Sequence, residues 1–256
     1  MRKGILILIG TFLAYGLILG AEDNKFLTKP FKQWKDKDVV KVLNNSAWAK
    51  QQTFASAYGV KEGGVKGDEK VEFSADPTGS RKDRMSSGVG GEKELMDTYT
   101  VRFFTALPVR EGHIRALQLA TGYDSKEPAE KGKFDQMTQR ALNMDTSQQI
   151  ILAIDFGTNN TQYQIDVEKR LGLLTAQQLQ QSAYLISQRL GRIQIQQYFP
   201  PSQDKTGLKM VFPRTVNGQP VISPEDKEVT FEWYFDKKLL VTFPIQEMMY
   251  KGKLEF

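Results

Sequence analysis

The second half of the chain is cut into short stretches of alternating apolar and polar residues. That pattern limits the fold more than any other feature of the sequence. Alternation runs through Tyr184 and Ile186 and again through Ile193, Ile195 and Tyr198, and "LKMVFPR", "KEVTFEWYF" and "LLVTFPI" follow at short intervals. A period of two puts successive side chains on opposite faces of a strand. Pro200-Pro201, Asn217-Gly218 and Asp236-Lys237 stand between the stretches, and Asn-Gly is a strong hairpin signal because both residues tolerate positive φ. Connections this short join antiparallel neighbours. The region from about Leu179 to Phe243 therefore reads as consecutive antiparallel strands, a meander or a small sandwich.

The first half supplies helices and the middle of the sheet. Asp36 caps a predicted helix through about Asn44, with Val39, Val40 and Leu43 as its apolar side. Gln51–Val60 alternates Phe54, Ser56, Tyr58 and Val60 and predicts a strand. Lys61–Lys93 is rich in Gly, Ser, Lys and Asp and reads as a long flexible loop. Thr98–Thr105 predicts a strand carrying Tyr99, Val101 and Phe103. Pro108 then opens a helix with Ile114, Leu117 and Ala120 inward, and Gly122 stops it. A second helix is expected over Ala129–Asn143, with Phe134, Met137, Ala141 and Leu142 inward. Gln148–Phe156 carries the apolar run Ile150–Ile154 and predicts the central buried strand. A further helix starts at Thr175. The sum is an α+β fold: an antiparallel β-rich sheet or small sandwich with a few short covering helices, in one domain over residues 22–256.

The chain begins "MRKGILILIGTFLAYGLILGAEDNK". Two cations, an apolar run from Ile5 to Leu19, and small residues before Glu22-Asp23 form the three-part layout of a signal peptide over residues 1–21. A membrane helix needs about 20 apolar residues, more than this run offers. The expectation is export to the periplasm or medium, with an uncleaved anchor over residues 5–19 as the alternative. In that case membrane contact is confined to the N-terminal segment. The formal net charge of +5 falls when Arg2 and Lys3 are removed, and the charges are interspersed, so no nucleic-acid footprint is present.

Composition removes several chemistries. The sequence has no cysteine, which excludes disulfides, thiol nucleophiles, thiolate metal sites and a lipidated N-terminal cysteine. One histidine, His113, rules out multi-histidine zinc sites. It stands near the polar side of its predicted helix without a serine in a motif context. No Gly-x-Ser-x-Gly elbow occurs. "ILAIDFGTNN" (Ile151–Asn160) resembles the first phosphate motif of actin-like ATPases. The second phosphate loop and the adenosine turn of that family do not follow, and a strand ending in a Gly157/Asn159-Asn160 turn accounts for the residues. Gly88-Val-Gly-Gly91 lacks the Lys-Ser or Lys-Thr of a Walker loop. No catalytic, cofactor-binding or metal-binding residue is assigned, and no cofactor is expected.

"FKQWKDKDVVKVLNNSAWAK", "VRFFTALPVREGHIRAL" and "FPIQEMMYKGKLEF" resemble segments of a family of exported bacterial proteins of unassigned function. The resemblance runs along most of residues 31–256. It implies export and a shared architecture and lends no catalytic residue. The functional expectation is a non-catalytic binding or envelope-assembly role with a protein partner in the cell envelope. The alternative is a secreted hydrolase using carboxylates on carbohydrate or peptide. Trp34, Trp48, Trp233 and Tyr234 are candidate contact aromatics, with core packing as the competing role for each.

Overall fold

The computed structural model describes residues 25–57, 94–202 and 206–256. The predicted signal peptide, the loop at 61–93, and Tyr58 and Val60 lie outside the described residues. The chain is α+β with antiparallel sheets. In order it forms α1 (Asp36–Asn44), β1 (Ala49–Ala57), β2 (Glu94–Phe103), α2 (Leu107–Ala120), α3 (Pro128–Leu142), β3 (Gln149–Thr158), α4 (Thr161–Leu173) and α5 (Ala176–Leu179). There follow β4 (Ala183–Ser187), β5 (Gly191–Gln194), β6 (Gln197–Phe199), β7 (Leu208–Pro213), β8 (Thr215–Val216) and β9 (Gln219–Pro220). The chain closes with β10 (Glu228–Tyr234), β11 (Lys238–Pro244), β12 (Met249–Tyr250) and β13 (Lys253–Leu254).

Two antiparallel sheets face each other. The first has the order β1-β2-β3-β7-β6 and the second β11-β10-β4-β5. Their inner faces are the alternate residues of each strand. Phe103 on β2 meets Phe243 on β11 edge-on, with ring centroids 4.8 Å apart. Tyr99 meets Trp233 at 6.2 Å, and Phe212 on β7 meets Phe231 on β10 at 6.3 Å. One apolar core runs through both sheets. The predicted central strand is central: β3 lies in the middle of the first sheet, with Ile150, Leu152, Ala153 and Ile154 buried.

The second half is not one continuous meander. After β5 the chain leaves the second sheet, and β6 and β7 join the first. Alternation shows which residues pair with a face but not which sheet owns the strand. Asn217 and Gly218 take positive φ and turn the β8–β9 hairpin, as Asn-Gly predicts.

The helix faces differ more from the pattern of apolar residues. Lys35, not Asp36, is the N-cap of α1, and its backbone N–H donates to the Asp38 carboxylate at 3.0 Å. The inward face of α2 holds Ile114 but also Arg110, Glu111, Arg115 and Gln118, whereas Leu117 is 50% exposed. On α3 only Phe134 is buried, and Met137 is 74% exposed. The two arginines on the buried side of α2 bind backbone carbonyls, whereas Glu111 accepts from Tyr250 and Lys251. Arg110 donates to the α3 C-terminal carbonyls of Leu142 at 2.6 Å and Ala141 at 3.0 Å. Arg115 donates to Trp34 O at 2.8 Å and grips Asp124 with two nitrogens at 2.8 and 2.7 Å. Arg102 on β2 reaches Leu43 O and Asn44 at the C-terminus of α1. Orphan carbonyls at a helix end carry partial negative charge, so a guanidinium there is matched in both hydrogen bonding and charge.

The expected turn after β3 is a helix start instead. β3 continues to Thr158, and the Asn160 side chain accepts from Tyr163 N at 3.0 Å to cap α4. Opposite this end, Gly207 brings the chain into β7 with φ +81, and a Cβ there would fall 2.2 Å from Ile154 O. Gly218 has φ +76 with open space around it. Gly207→Ala is therefore expected to cost at least about 2 kcal/mol of unfolding free energy, from backbone strain plus overlap with β3. Gly218→Ala, with backbone strain alone, is expected to cost about 1 kcal/mol. Urea unfolding midpoints of the two variants measure the difference.

Candidate functional site

The two long sides of the sandwich are finished differently. On one side β1 of the first sheet lies beside β11 of the second. There the Gln52 side chain accepts from the outward Leu240 N–H at 2.8 Å, and Lys237 donates to Asp97 at 3.4 Å while lying over the Phe54 ring. Side chains close that seam and cover its edge donors. On the other side stand β5 and β6, the end strands of their sheets. Among the described residues no strand pairs with the outer edge of either.

An open cleft of about 730 Å³ lies where the chain crosses from β5 to β6. Four amide side chains line it, those of Gln180, Gln194, Gln196 and Gln197, together with Tyr184 and Arg192. Its floor is apolar, from Ile193, Ile195, Pro213 and Val216. Gln180 Nε2 donates to Ile195 O at 3.3 Å, and Gln194 Nε2 donates to Gln180 O at 3.4 Å. Gln196 N donates to Val211 O at 2.7 Å, which fixes the crossing to β7. Arg192 lies over the Tyr184 ring at 5.0 Å and donates to the Glu232 carboxylate at 2.8 Å. Lys238 reaches the other Glu232 oxygen at 3.2 Å.

The turn that carries β5 is braced from outside the cleft. Arg189, between β4 and β5, holds Asp226 through Nε at 2.7 Å and a terminal nitrogen at 3.2 Å, and also reaches Pro220 O. Ser223 N donates to the same carboxylate at 2.8 Å. The Arg189 guanidinium beside Asp226 holds its carboxyl below the usual aspartate range.

The expected contact aromatics separate sharply. Trp34, Trp48 and Trp233 are buried. Trp34 Nε1 donates to Phe26 O at 3.0 Å and Trp48 Nε1 to Glu255 O at 2.8 Å, and the Trp233 ring stacks on Phe235. All three are core. Tyr234, 48% exposed, stands on the outer face of the second sheet beneath Lys238. His113 is half-buried and tilts against the Phe104 ring at 5.8 Å, away from the cleft lining. Two of the carboxylates are tied to cations: Asp236 is gripped by Arg170 at 2.6 and 2.5 Å, and Asp97 by Lys237 at 3.4 Å. Among the described residues no cluster of His, Asp and Glu forms a metal site, and no helix is long and apolar enough to cross a membrane. No protein family, curated protein or solved structure matches the chain.

The cleft residues were missed in the sequence, although a signal was present. Eight glutamines fall between residues 177 and 197, in a segment that strand alternation alone explained. The chemistry they offer is neutral hydrogen bonding, each amide donating and accepting.

Because the depressed Asp226 carboxyl contributes stability above the unfolded-state pKa, that contribution is present at neutral pH. It is lost as pH falls through the lowered folded value. Asp226→Asn is expected to be less stable than the native protein at neutral pH and to lose less stability on acidification below about pH 4. Chemical unfolding at a series of pH values reads both effects.

Proposed function

We propose that this is a non-catalytic binding protein that takes an extended polypeptide segment against the open edge of β5. The observation that carries the reading is that unpaired edge lying beside an amide-lined cleft. An edge strand offers a row of N–H and C=O groups that an extended chain completes as a further strand. Glutamine amides suit the same task, since they match the donor and acceptor pattern of a peptide backbone. The cleft volume falls within the ordinary range of ligand sites, about 300–1,000 Å³. The contrast within the molecule supports the reading. At the β1/β11 seam a glutamine side chain caps the donor of a neighbouring strand; at the β5/β6 seam the Gln180 side chain bonds the crossing carbonyl of Ile195, and four glutamines line an open cleft.

The partner we assign is a protein of the cell envelope, and the support for that compartment is the apolar run Ile5–Leu19 behind two cations. The reading makes two measurable statements. Intact mass of the protein from fractionated host cells is expected to show a chain beginning near Glu22 outside the cytoplasm. A full-length chain soluble in the cytoplasm overturns the envelope assignment. A photocrosslinking amino acid at Gln194 is expected to give one discrete adduct in cells, mapped to one short segment of one partner. The same probe at the exposed Met137 on α3 is expected to give none. Adducts spread over many proteins at both positions, or none at Gln194, would overturn the binding reading.

A further inference from the structure

We infer that the segment taken at β5 alternates apolar and acidic residues, and that Arg192 is the side chain that selects the acid. The inference rests on the edge reading above and deepens it. On β5, Ile193 faces inward and is buried, while Arg192 and Gln194 face outward. A strand added to this edge keeps the pleat, so its side chains alternate in step with those of β5. Its inward residues fall beside Ile193 and the apolar floor formed by Ile195, Pro213 and Val216. Burial there favours apolar side chains. Its outward residues fall beside Arg192, the one charged side chain lining the cleft.

The acid that Arg192 meets within the protein is shared with a second cation. Arg192 and Lys238 share the single Glu232 carboxylate, at 2.8 and 3.2 Å. Around that carboxylate the cations outnumber the acid two to one. Glu232 is buried, with its side chain 4% exposed, while the Arg192 side chain is 60% exposed. The acid thus sits below the surface and the guanidinium presents itself to solvent. β5 is only four residues long, so its ladder gives few bonds, and side chains must supply the discrimination between partners.

The test uses three labelled synthetic peptides that alternate valine with glutamate, with lysine or with threonine, titrated by fluorescence anisotropy against the native protein. The glutamate peptide is expected to bind about tenfold more tightly than the lysine peptide, with a preference that weakens as salt is raised. Arg192→Glu is expected to invert the order, and Arg192→Gln to erase it without inversion. Thermal unfolding of both variants verifies that they are folded. Equal affinity for all three peptides, unchanged by either variant, overturns the role of Arg192 and leaves the edge reading standing. Failure of every peptide to bind overturns both. Concentration-dependent dimerisation without peptide, with β5 amides protected from exchange, assigns the edge to a second copy of the chain and also overturns the inference.

Discussion

Contact between the inner faces of the two sheets is the interaction on which the rest of the structure depends. Phe103, Tyr99 and Phe212 on the first sheet meet Phe243, Trp233 and Phe231 on the second. Burying each such ring stabilises the fold by about 2–3 kcal/mol, and a well-set aromatic pair adds about 1 kcal/mol. The chain has no disulfide to lean on. The apolar layer between the sheets must therefore hold them together without a crosslink, and its aromatic pairs mark which strands lie opposite each other. With β2 under β11 and β10, and β7 under β10, the end strands fall into pairs: β1 beside β11, and β6 on the side of β5.

The helices are attached by a different kind of force. Arg102, Arg110 and Arg115 are buried, and burying a charge is costly unless hydrogen bonds replace the lost water. Each arginine recovers that cost at carbonyls that a helix end or a loop leaves unbonded. Arginine suits the task better than lysine, because its planar fork reaches two acceptors from one side chain and it is less strongly hydrated. Burial accordingly draws the Arg102 and Arg110 guanidinium groups below their ordinary values. Where α1 crosses α2, contact is steric instead: a Cβ on Gly112 would stand 2.7 Å from Val42 Cγ1.

What was legible in the sequence follows from this division. Period-two alternation marked the inward residues of β2, and the strand segments of the second half were visible, because sheet faces obey a simple rule. Tyr184 and Ile186, however, face outward and Ala183 and Leu185 inward, since alternation gives two faces without saying which is buried. The helix faces of α2 and α3 were misread for a physical reason. Leu117 and Met137 are apolar yet exposed, whereas Arg115 and Gln118 are polar yet buried, so hydrophobicity alone picks the wrong side when the buried face carries hydrogen-bonding side chains. α4 was hidden because its capping Asn160 looked like part of a turn. The cleft was less legible still. Its lining comes from α5, β4, β5, the β5–β6 crossing and the ends of β7 and β8, and no local pattern announces that these segments meet.

The asymmetry of the two seams follows from connectivity. β5 leads directly into β6 through Ile195 and Gln196, and Ile195 is buried while Gln196 bonds to β7. Among the described residues no further strand covers the outer edge of either β5 or β6. An edge left open in this way is a hazard, since it can pair with any extended chain, including another copy of the same protein. The shortness of β5 limits that hazard, and so does a cation at its centre. In edge-to-edge pairing of two copies the Arg192 charges approach each other and repel, while an acidic partner is attracted to the same position. On the proposed reading, one exposed charge, held up by a buried glutamate, disfavours self-association and favours a complementary partner through the same electrostatic field.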